Sequence, residues 1–317
     1  MTIQSSRPSI PADILALSHE RDELRRRGKY DRADALKRQI EDAGYGIKDN
    51  PRGAHLTILP SVEVDGIAYR TARHVPSLLD EEDFCEFSVN VLASTSFEET
   101  KRCLESILRC IGNHDIEIVL VDNRSLDGLA AWTRELQRNV PRLHVLCTSR
   151  SLGEAEARNI GLKQSRGRYI LLLNSCVELT GDVFTPLAQV LEDSKVGITG
   201  FRGLFTDDLR HFEECSDLEV EAIDGLCMAF RRKLLKKVGL FDERYRFPSY
   251  MDIDFNFAAR NSGVRAVVTP NLPMVSHTLL PDVKFSDAER IRLTKRNFYR
   301  FLEKWRHRDD LLLEKNN

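Results

Sequence analysis

Apolar runs alternate with amphipathic segments through the middle of the chain, and this alternation is its main structural signal. The apolar runs are typical of strands buried on both faces of a parallel sheet. They lie at residues 87–93, 116–121, 143–146 and 169–173. Helically spaced apolar residues lie between them, at residues 97–111, 129–138 and 153–166. Strands and helices in this order predict an α/β fold with a mostly parallel central sheet and right-handed crossovers.

Two helices are predicted ahead of this region. Pro11 suits a first helical turn, and three cations followed by Gly28 end the first helix. A second amphipathic segment begins near Tyr30 and ends at Gly44. The short connection between them predicts an antiparallel helical hairpin.

Changes in composition divide the chain into four predicted parts. A helical hairpin module occupies residues 1–60, a linker ending in an acidic run occupies 61–85, and the α/β domain occupies 86–280. An amphipathic helix and tail follow at 281–317. Its apolar stripe predicts docking on the core, and a membrane-surface or partner-binding face is the alternative. The stripe comprises Ile291, Phe298, Phe301, Leu302 and Trp305, and the cations that support the alternative are Lys295, Arg296, Arg300, Lys304 and Arg306.

Composition excludes several classes of protein. The 317 residues carry a formal net charge of −2, which gives no bulk attraction to nucleic acid or anionic lipid. No apolar run approaches the ~18 residues that span a bilayer, and the N-terminus has no apolar signal region. We therefore expect a cytoplasmic protein. The 7 cysteines are scattered without a CxxC spacing, which argues against a disulfide framework or a zinc site.

Polar side chains follow three of the predicted strands directly. Ser94 and Thr95 follow the first, Asp122 and Asn123 follow the second, and a polar segment starting at Asn174 follows the fourth. Ligands of open α/β sheets bind at the carboxyl ends of the strands, and a nucleotide suits such a set of hydroxyls and carboxylates. The sequence contains neither GxGxxG nor GxxxxGK[ST], so a dinucleotide fold and a P-loop are not indicated.

A set of ordered motifs in residues 86–280 resembles family 2 glycosyltransferases of the GT-A fold. The motifs are VNVLASTS, IEIVLVDNRSLDG, SLGEAEARNIGLKQSRGRYILLLNS, DGLCMAFRRKLLKKVGLFDERY, YMDIDFNFAARNSGVRAVVTP and VSH. The resemblance implies transfer of a sugar from a nucleoside diphosphate sugar to an acceptor hydroxyl of a glycan or other molecule, usually with inversion. It also implies a divalent metal, Mg²⁺ or Mn²⁺, at the diphosphate.

The resemblance assigns the donor side of the site. Asp122 matches the nucleoside-binding aspartate, with Ser94, Thr95 and Asn123 beside it, and Arg158 matches the arginine of the ARNxG helix.

The metal-binding motif of the family departs from its usual form here. Asn174, Ser175 and Cys176 stand at the DXD motif, whose last aspartate normally binds the metal. A thiol is a poor ligand for Mg²⁺, which prefers oxygen. Glu178 and His277 are further candidate ligands. We therefore expect weakened or absent metal dependence.

The EDxD motif of the family supplies the general base, and here it begins with Met251 in place of glutamate. Asp252 and Asp254 remain, and Asp252 is the candidate base, because an inverting displacement needs a carboxylate to take the acceptor proton. A position beside a helix N-terminus is expected to favour its charged form. Asp224 and Gly225 match the acceptor-side loop of the family.

The first 60 residues have a resemblance of their own. The segment GKYDRADALKRQIEDAGYGIKDNPRGAHL is similar to the C-terminal helical tail of cysteinyl-tRNA synthetases. It implies either a helical scaffold or contact with RNA, and the interleaved acidic and basic residues favour a solvated, ion-paired surface.

Three hypotheses for the whole chain follow. It is a glycosyltransferase, a catalytically inactive GT-A domain that binds nucleotide or glycan, or an RNA- or synthetase-associated protein that acts through its N-terminal module.

Overall fold

The computed structural model describes residues 10–50, 53–93, 96–215, 217–277 and 286–313. The chain divides into two compact units, Met1–Val75 and Pro76–Asn317. The segment 61–85, expected to be a linker, thus contributes to both units. The predicted site residues Ser94 and Thr95 lie outside the described residues.

The first unit consists of the predicted helical hairpin followed by two β-hairpins. Its elements are α1 (Ala12–Arg26), α2 (Tyr30–Asp42), β1 (Tyr45–Asn50), β2 (Gly53–Ile58), β3 (Val62–Val64) and β4 (Ile67–Tyr69). Ile14, Ile40 and Ile47 form a small apolar core between the helices and β1. Arg21 is buried and donates to Asp49 at 2.6 Å, which ties α1 to β1.

The second unit begins with the predicted alternation of strands and helices. These elements are β5 (Cys85–Ala93), α3 (Phe97–Cys110), β6 (Ile116–Asp122), α4 (Leu129–Asn139), β7 (Leu143–Thr148), α5 (Glu154–Lys163) and β8 (Gly167–Asn174). Short strands and one helix follow, namely β9 (Val177–Leu179), α6 (Phe184–Glu192), β10 (Val196–Gly200), β11 (Gly203–Phe205), β12 (Glu213–Cys215), β13 (Glu219–Val220), β14 (Ala222–Ile223) and β15 (Cys227–Arg231). The last elements are α7 (Leu234–Val238), α8 (Met251–Asn261), β16 (Arg265–Val268), β17 (Met274–Ser276) and α9 (Asp287–Trp305).

The central sheet of this unit brings three strand ends together. Its order is β13-β16-β10-β15-β8-β5-β6-β7, and β5 pairs in parallel with both β6 and β8. β15 runs antiparallel between β8 and β10. Leu92 lies opposite Asn174, and Ala93 lies opposite Asp122. Asp122 and Asn174 therefore lie at the same edge of the sheet, beside the end of β5.

Both faces of β8 are covered, which explains its continuous apolar run. Leu171 and Leu173 pack into the core beneath one face, and Ile170 and Leu172 pack into the core of the other. Because side chains alternate along a strand, a strand between two cores must be apolar at every position.

α9 docks on α8 through its C-terminal half. Phe301 and Trp305 are buried against Phe257. Ile291, which the sequence places in the same stripe, is 69% exposed. The predicted stripe is thus wrong at this end, because the first turns of α9 do not pack on the core. No helix in the described part of the chain is long and apolar enough to cross a membrane.

Candidate functional site

A cleft of about 480 Å³ opens at the carboxyl ends of β5 and β8. Four predicted site residues line it: Arg158, Asn174, Ser175 and Asp252. Asn174 ends β8, Arg158 projects from α5, and Asp252 lies in the first turn of α8. The volume is within the range of small-ligand sites. Sequence regions nearly 100 residues apart therefore form one cavity.

The Asp252 carboxylate is held by two backbone N–H groups. Gly225 donates to Oδ2 at 2.7 Å, and Ile253 donates to Oδ1 at 3.0 Å. A Cβ atom on residue 225 would lie 3.1 Å from Oδ2, so glycine allows this close approach. Burial raises the pKa of Asp252, although the N–H groups and the nearby Arg158 lower it. The N–H of Ile253 at the start of α8 thus favours the charged form of Asp252, but desolvation outweighs this effect.

Asp224, whose motif matches the acceptor-side loop of the family, is a second carboxylate in the cleft. It precedes Gly225 in the turn between β14 and β15, and its Oδ1 accepts from the N–H of Leu226 at 3.1 Å. Burial, together with the charge of Asp252, raises the pKa of Asp224 to about 7. The motif match at Asp224 and Gly225 was the available signal, but only the fold shows that this turn faces Asp252.

Aromatic side chains form one wall of the cleft. Phe212 and Tyr250 line it, with ring centroids 6.3 Å apart. Tyr250 packs on Phe298 and Phe301 of α9, with ring centroids 5.7 Å apart in both cases. Tyr250 has a φ of 63° immediately before α8, a conformation that non-glycine residues rarely adopt. The packing by α9 thus helps to maintain an unusual backbone geometry beside Asp252.

Asn297 of α9 supports the same wall from behind. Its side chain is fully buried and donates to the carbonyl oxygens of Phe247 at 2.9 Å and Ser249 at 3.0 Å. Ser249 lines the cleft. The C-terminal helix therefore positions the loop that leads into the first turn of α8.

Asp254, predicted to be catalytic together with Asp252, faces α9 and is not among the residues that line the cleft. Its Oδ1 accepts from Trp305 Nε1 at 2.9 Å and from the Tyr245 hydroxyl at 3.3 Å. Its Oδ2 lies 2.8 Å from Lys304 Nζ. These contacts give Asp254 the environment of an anchor for α9.

The predicted cations of α9 fall into two groups. Lys304 also lies 2.9 Å from Asp242 Oδ2, and Arg300 donates to the carbonyl of Arg244, so both face the protein. Lys295, Arg296 and Arg306 are exposed.

The predicted donor-side residues have different partners. Arg158 lines the cleft and also pairs with Glu154 at 3.2 Å. Asp122 Oδ1 accepts from the N–H of Ser125 at 2.7 Å. The Asn123 amide bonds to both backbone groups of Leu152, so it holds the loop ahead of α5.

Cys176, at the last position of the DXD motif, is fully buried in the apolar core. Burial raises the pKa of its thiol, which disfavours the thiolate that binds metals. The backbone N–H of Cys176 donates to Asn174 Oδ1 at 3.1 Å. The Cys176 side chain thus has the environment of a packing residue.

Glu178 and His277 contact each other beyond this motif. His277 Nε2 lies 2.9 Å from Glu178 Oε2, and Arg109 lies 3.1 Å from Oε1. The hydrogen bond from His277 lowers the pKa of Glu178. The backbone N–H of His277 donates to the carbonyl of Cys176 at 3.0 Å, which aligns β17 with β9.

These residues do not fit a divalent cation of the family type. The thiol of Cys176 is fully buried at an apolar core and already has Ser276 as a hydrogen-bond partner, and Glu178 is engaged by His277 and Arg109. Within the described ranges, no group of three His, Cys, Asp or Glu residues is arranged to hold a metal ion.

Comparisons with known proteins agree with this architecture. Residues 88–251, more than half of the chain, match the model of the family described as "Glycosyl transferase family 2". The uncharacterized protein y4gI of Sinorhizobium fredii (strain NBRC 101917 / NGR234) is 22% identical over 218 residues. This match covers 60% of the chain and 23% of y4gI, so the chain spans less than a quarter of the length of that relative.

Several solved structures share the fold at low sequence identity. GalNAc-T7 with UDP, GalNAc and Mn2+ has a TM-score of 0.60 and 15% identity, over 73% of this chain and 50% of that one. Mannosyltransferase PcManGT from Pyrobaculum calidifontis, in complex with GDP-Man and Mn2+, has a TM-score of 0.54 and 17% identity, over 72% of this chain and 66% of that one. TarS 1-349 of S. aureus in complex with UDP-GlcNAc has a TM-score of 0.52 and 17% identity, over 71% of this chain and 69% of that one. The predicted GT-A fold is confirmed.

Proposed function

Because the chain belongs to glycosyl transferase family 2, we propose that it transfers a sugar, with inversion, from a nucleoside diphosphate sugar to an acceptor hydroxyl. The observation that carries this proposal is the Asp252 carboxylate, which shares a cleft with Arg158 and Asn174 at the strand ends. Nucleoside diphosphate sugars, GDP-Man and UDP-GlcNAc, are present in the PcManGT and TarS structures.

In this proposal the donor lies across the ends of β5, β6 and β8. Asp122 contacts the nucleoside, and Asn174 and Ser175 face the diphosphate. Arg158 is the cation among the described residues that line the cleft. A guanidinium offers paired N–H donors to phosphate oxygens and stays charged at all relevant pH values. It therefore suits the negative charge of the leaving diphosphate.

The transfer step assigns the proton to Asp252. The acceptor oxygen attacks the anomeric carbon on the face opposite the diphosphate, and a new C–O bond forms there. The bond between the anomeric carbon and the diphosphate oxygen breaks, and that oxygen keeps the electron pair. The hydroxyl proton moves to Asp252, whose raised pKa makes it a stronger base than an exposed aspartate.

We also propose that this chain binds its donor without requiring a divalent cation. The support is the chemistry of residues 174–178, where a core-facing thiol replaces the usual carboxylate and Glu178 is held by His277 and Arg109. A neutral thiol is a weak ligand for Mg²⁺ or Mn²⁺.

A donor panel tests the function. Thermal unfolding is measured with UDP, GDP, UDP-GlcNAc, UDP-GalNAc and GDP-mannose, each with Mn²⁺ and with EDTA, and release of nucleoside diphosphate is assayed in parallel. We expect one class of nucleotide to stabilise the protein against thermal unfolding. The corresponding nucleotide sugar should slowly release its nucleoside diphosphate. Stabilisation without release, under all conditions and with simple sugar acceptors, favours the catalytically inactive alternative. No stabilisation by any member of the panel contradicts a nucleotide-sugar site.

A further inference from the structure

The turn at Asp224, Gly225 and Leu226 connects the two sides of the cleft. The N–H of Asn174 donates to the carbonyl of Leu226 at 2.9 Å. The N–H of Gly225 donates to Asp252 Oδ2 at 2.7 Å. The turn that carries Asp224 therefore bridges the end of β8, where the diphosphate is proposed to bind, and the candidate base. In the proposed reaction the transferred sugar lies beside this turn.

The Asp224 carboxylate has an oxygen that is suited to a ligand. Oδ1 accepts from the N–H of Leu226. Oδ2 has Arg202 Nε at 3.7 Å, which is an ion-pair distance beyond hydrogen-bond range. The Asp224 side chain is 14% exposed, and the residue lines the cleft.

Aromatic side chains in the same cleft complement a carboxylate in this position. Phe212 and Tyr250 present aromatic rings to the same cavity. A pyranose has apolar C–H faces that pack on aromatic rings and hydroxyl edges that donate hydrogen bonds. An aromatic wall together with a carboxylate thus recognises a sugar more readily than a phosphate, which a carboxylate repels.

We propose that Asp224 binds a hydroxyl group of the transferred sugar and so selects donors by their sugar, independently of their nucleotide. This inference rests on the proposed function. In it, Asp224 contributes to the affinity for the donor sugar, whereas Asp252 accepts the proton of the acceptor hydroxyl. A hydrogen bond between a hydroxyl and an ionised carboxylate is stronger than one to a neutral group. The sugar is therefore bound more tightly when Asp224 is charged.

The charge of Asp224 depends on its neighbours. Asp252 of α8 and Glu214 of β12 raise its pKa, and Arg202, between β10 and β11, lowers it. With a pKa of about 7, Asp224 changes its protonation state close to neutral pH. Sugar recognition should therefore change over a pH range in which an ordinary aspartate stays fully ionised.

The test compares nucleotide and nucleotide sugar on the full-length protein. Dissociation constants of UDP, UDP-GlcNAc, UDP-GalNAc, GDP and GDP-mannose are measured by calorimetry from pH 6 to pH 8.5. The quantity of interest is the ratio of the Kd of the nucleotide to the Kd of its sugar conjugate. For at least one conjugate, we expect the wild-type ratio to rise with pH and to exceed that of D224N about tenfold at pH 8. We expect the Kd of the bare nucleotide to remain unchanged.

Two further variants separate recognition from structure. R202Q removes the nearby cation, so the pH midpoint of the ratio should move upward, a shift that a purely structural role of Asp224 would not produce. Glu213 is an exposed carboxylate on β12 that does not line the cleft, and E213Q is therefore the control. It should leave the ratio of dissociation constants and its pH midpoint unchanged.

The outcomes distinguish this inference from the proposed function. A ratio that is equal in wild type and D224N at every pH, with nucleotide binding intact, overturns the role of Asp224 and leaves the donor site standing. A sugar-dependent ratio that does not respond to pH or to R202Q also overturns it. Absence of binding by every nucleotide overturns the proposed function and this inference together.

Discussion

Lys304 Nζ lies 2.8 Å from Asp254 Oδ2, so the C-terminal helix is joined by an ion pair to the helix that carries Asp252. Lys304 also contacts Asp242 at 2.9 Å, and Trp305 Nε1 donates to the other Asp254 oxygen at 2.9 Å. Asp254 is two residues from Asp252 and one helical turn from Tyr250. α9 thus fixes the start of α8, where the candidate base lies.

Removing this lysine should loosen the start of α8. In Lys304→Met we expect the free energy of unfolding to fall by about 1–3 kcal/mol, since Asp254 is mostly buried and Lys304 is partly exposed. The kcat for donor turnover should fall more than the affinity for nucleotide, because the nucleotide side of the cleft lies on other elements. Denaturant unfolding and steady-state kinetics measure both effects.

Lys295→Met is the matched control, since Lys295 is exposed on the same helix. It should leave stability and turnover unchanged. Equal losses in the two variants would show that the Asp254 contact has no particular importance.

The raised pKa of Asp224 makes the free energy of unfolding depend on pH. Its pKa is about 7 in the folded protein and near 3.8 when the chain is unfolded, so the folded state binds more protons between these values. The cost of ionising Asp224 in the fold therefore grows as the pH rises from about 4 to 7, and it is fully present above 7. D224N should stabilise the ligand-free protein at pH 8, by up to about 4 kcal/mol. That advantage should disappear near pH 4, as measured by urea unfolding at several pH values. If the unfolding free energies of D224N and wild type differed by the same amount at every pH in this range, that result would contradict the raised pKa of Asp224.

Restoring the family carboxylate at position 176 should not restore a metal site. Cys176 has no exposed surface and belongs to an apolar core cluster. An ionised Asp there would lose its hydration, so Cys176→Asp should lower stability by about 3 kcal/mol or more. Mn²⁺ titration followed by thermal unfolding measures this effect, with Cys176→Ala as the size control. Recovery of the stability of Cys176→Asp by Mn²⁺ would show that residue 176 reaches a metal position.

Arg158 should act on the diphosphate alone. Arg158→Met is expected to weaken UDP or GDP binding about tenfold or more, because hydrogen bonds between charged groups are lost. Binding of the corresponding nucleoside should change little. Calorimetry with both ligands makes the comparison, and equal weakening of nucleoside and nucleotide would place the arginine elsewhere in the site.

The sequence was sufficient to predict the sheet and much of the cleft. The runs that became β5, β6 and β8 are apolar because both faces of each strand are buried, and strand ends at one edge of a parallel sheet must meet. Arg158, Asn174 and Asp252 were predicted from motifs and do line one cavity. These predictions rest on local periodicity and on the order of the motifs, which the sequence records directly.

Side-chain direction was the part that motifs did not predict. Asp254 and Cys176 stand at motif positions, yet Asp254 faces α9 and Cys176 faces the core. Asp224 joins the site because β15 inserts antiparallel beside β8, a tertiary pairing that no local pattern encodes. Ile291 was grouped with Trp305 by helical spacing, but only the C-terminal turns of α9 meet the core.

In the proposed transfer, Asp252 takes the proton of the acceptor hydroxyl. The direct test is single-turnover release of nucleoside diphosphate from the best-bound donor by wild type and Asp252→Asn, with donor Kd measured for both. We predict that Asp252→Asn binds the donor within about threefold of wild type and loses at least about 10²-fold in rate. Equal rates at equal donor affinity would contradict the role of Asp252 as the base.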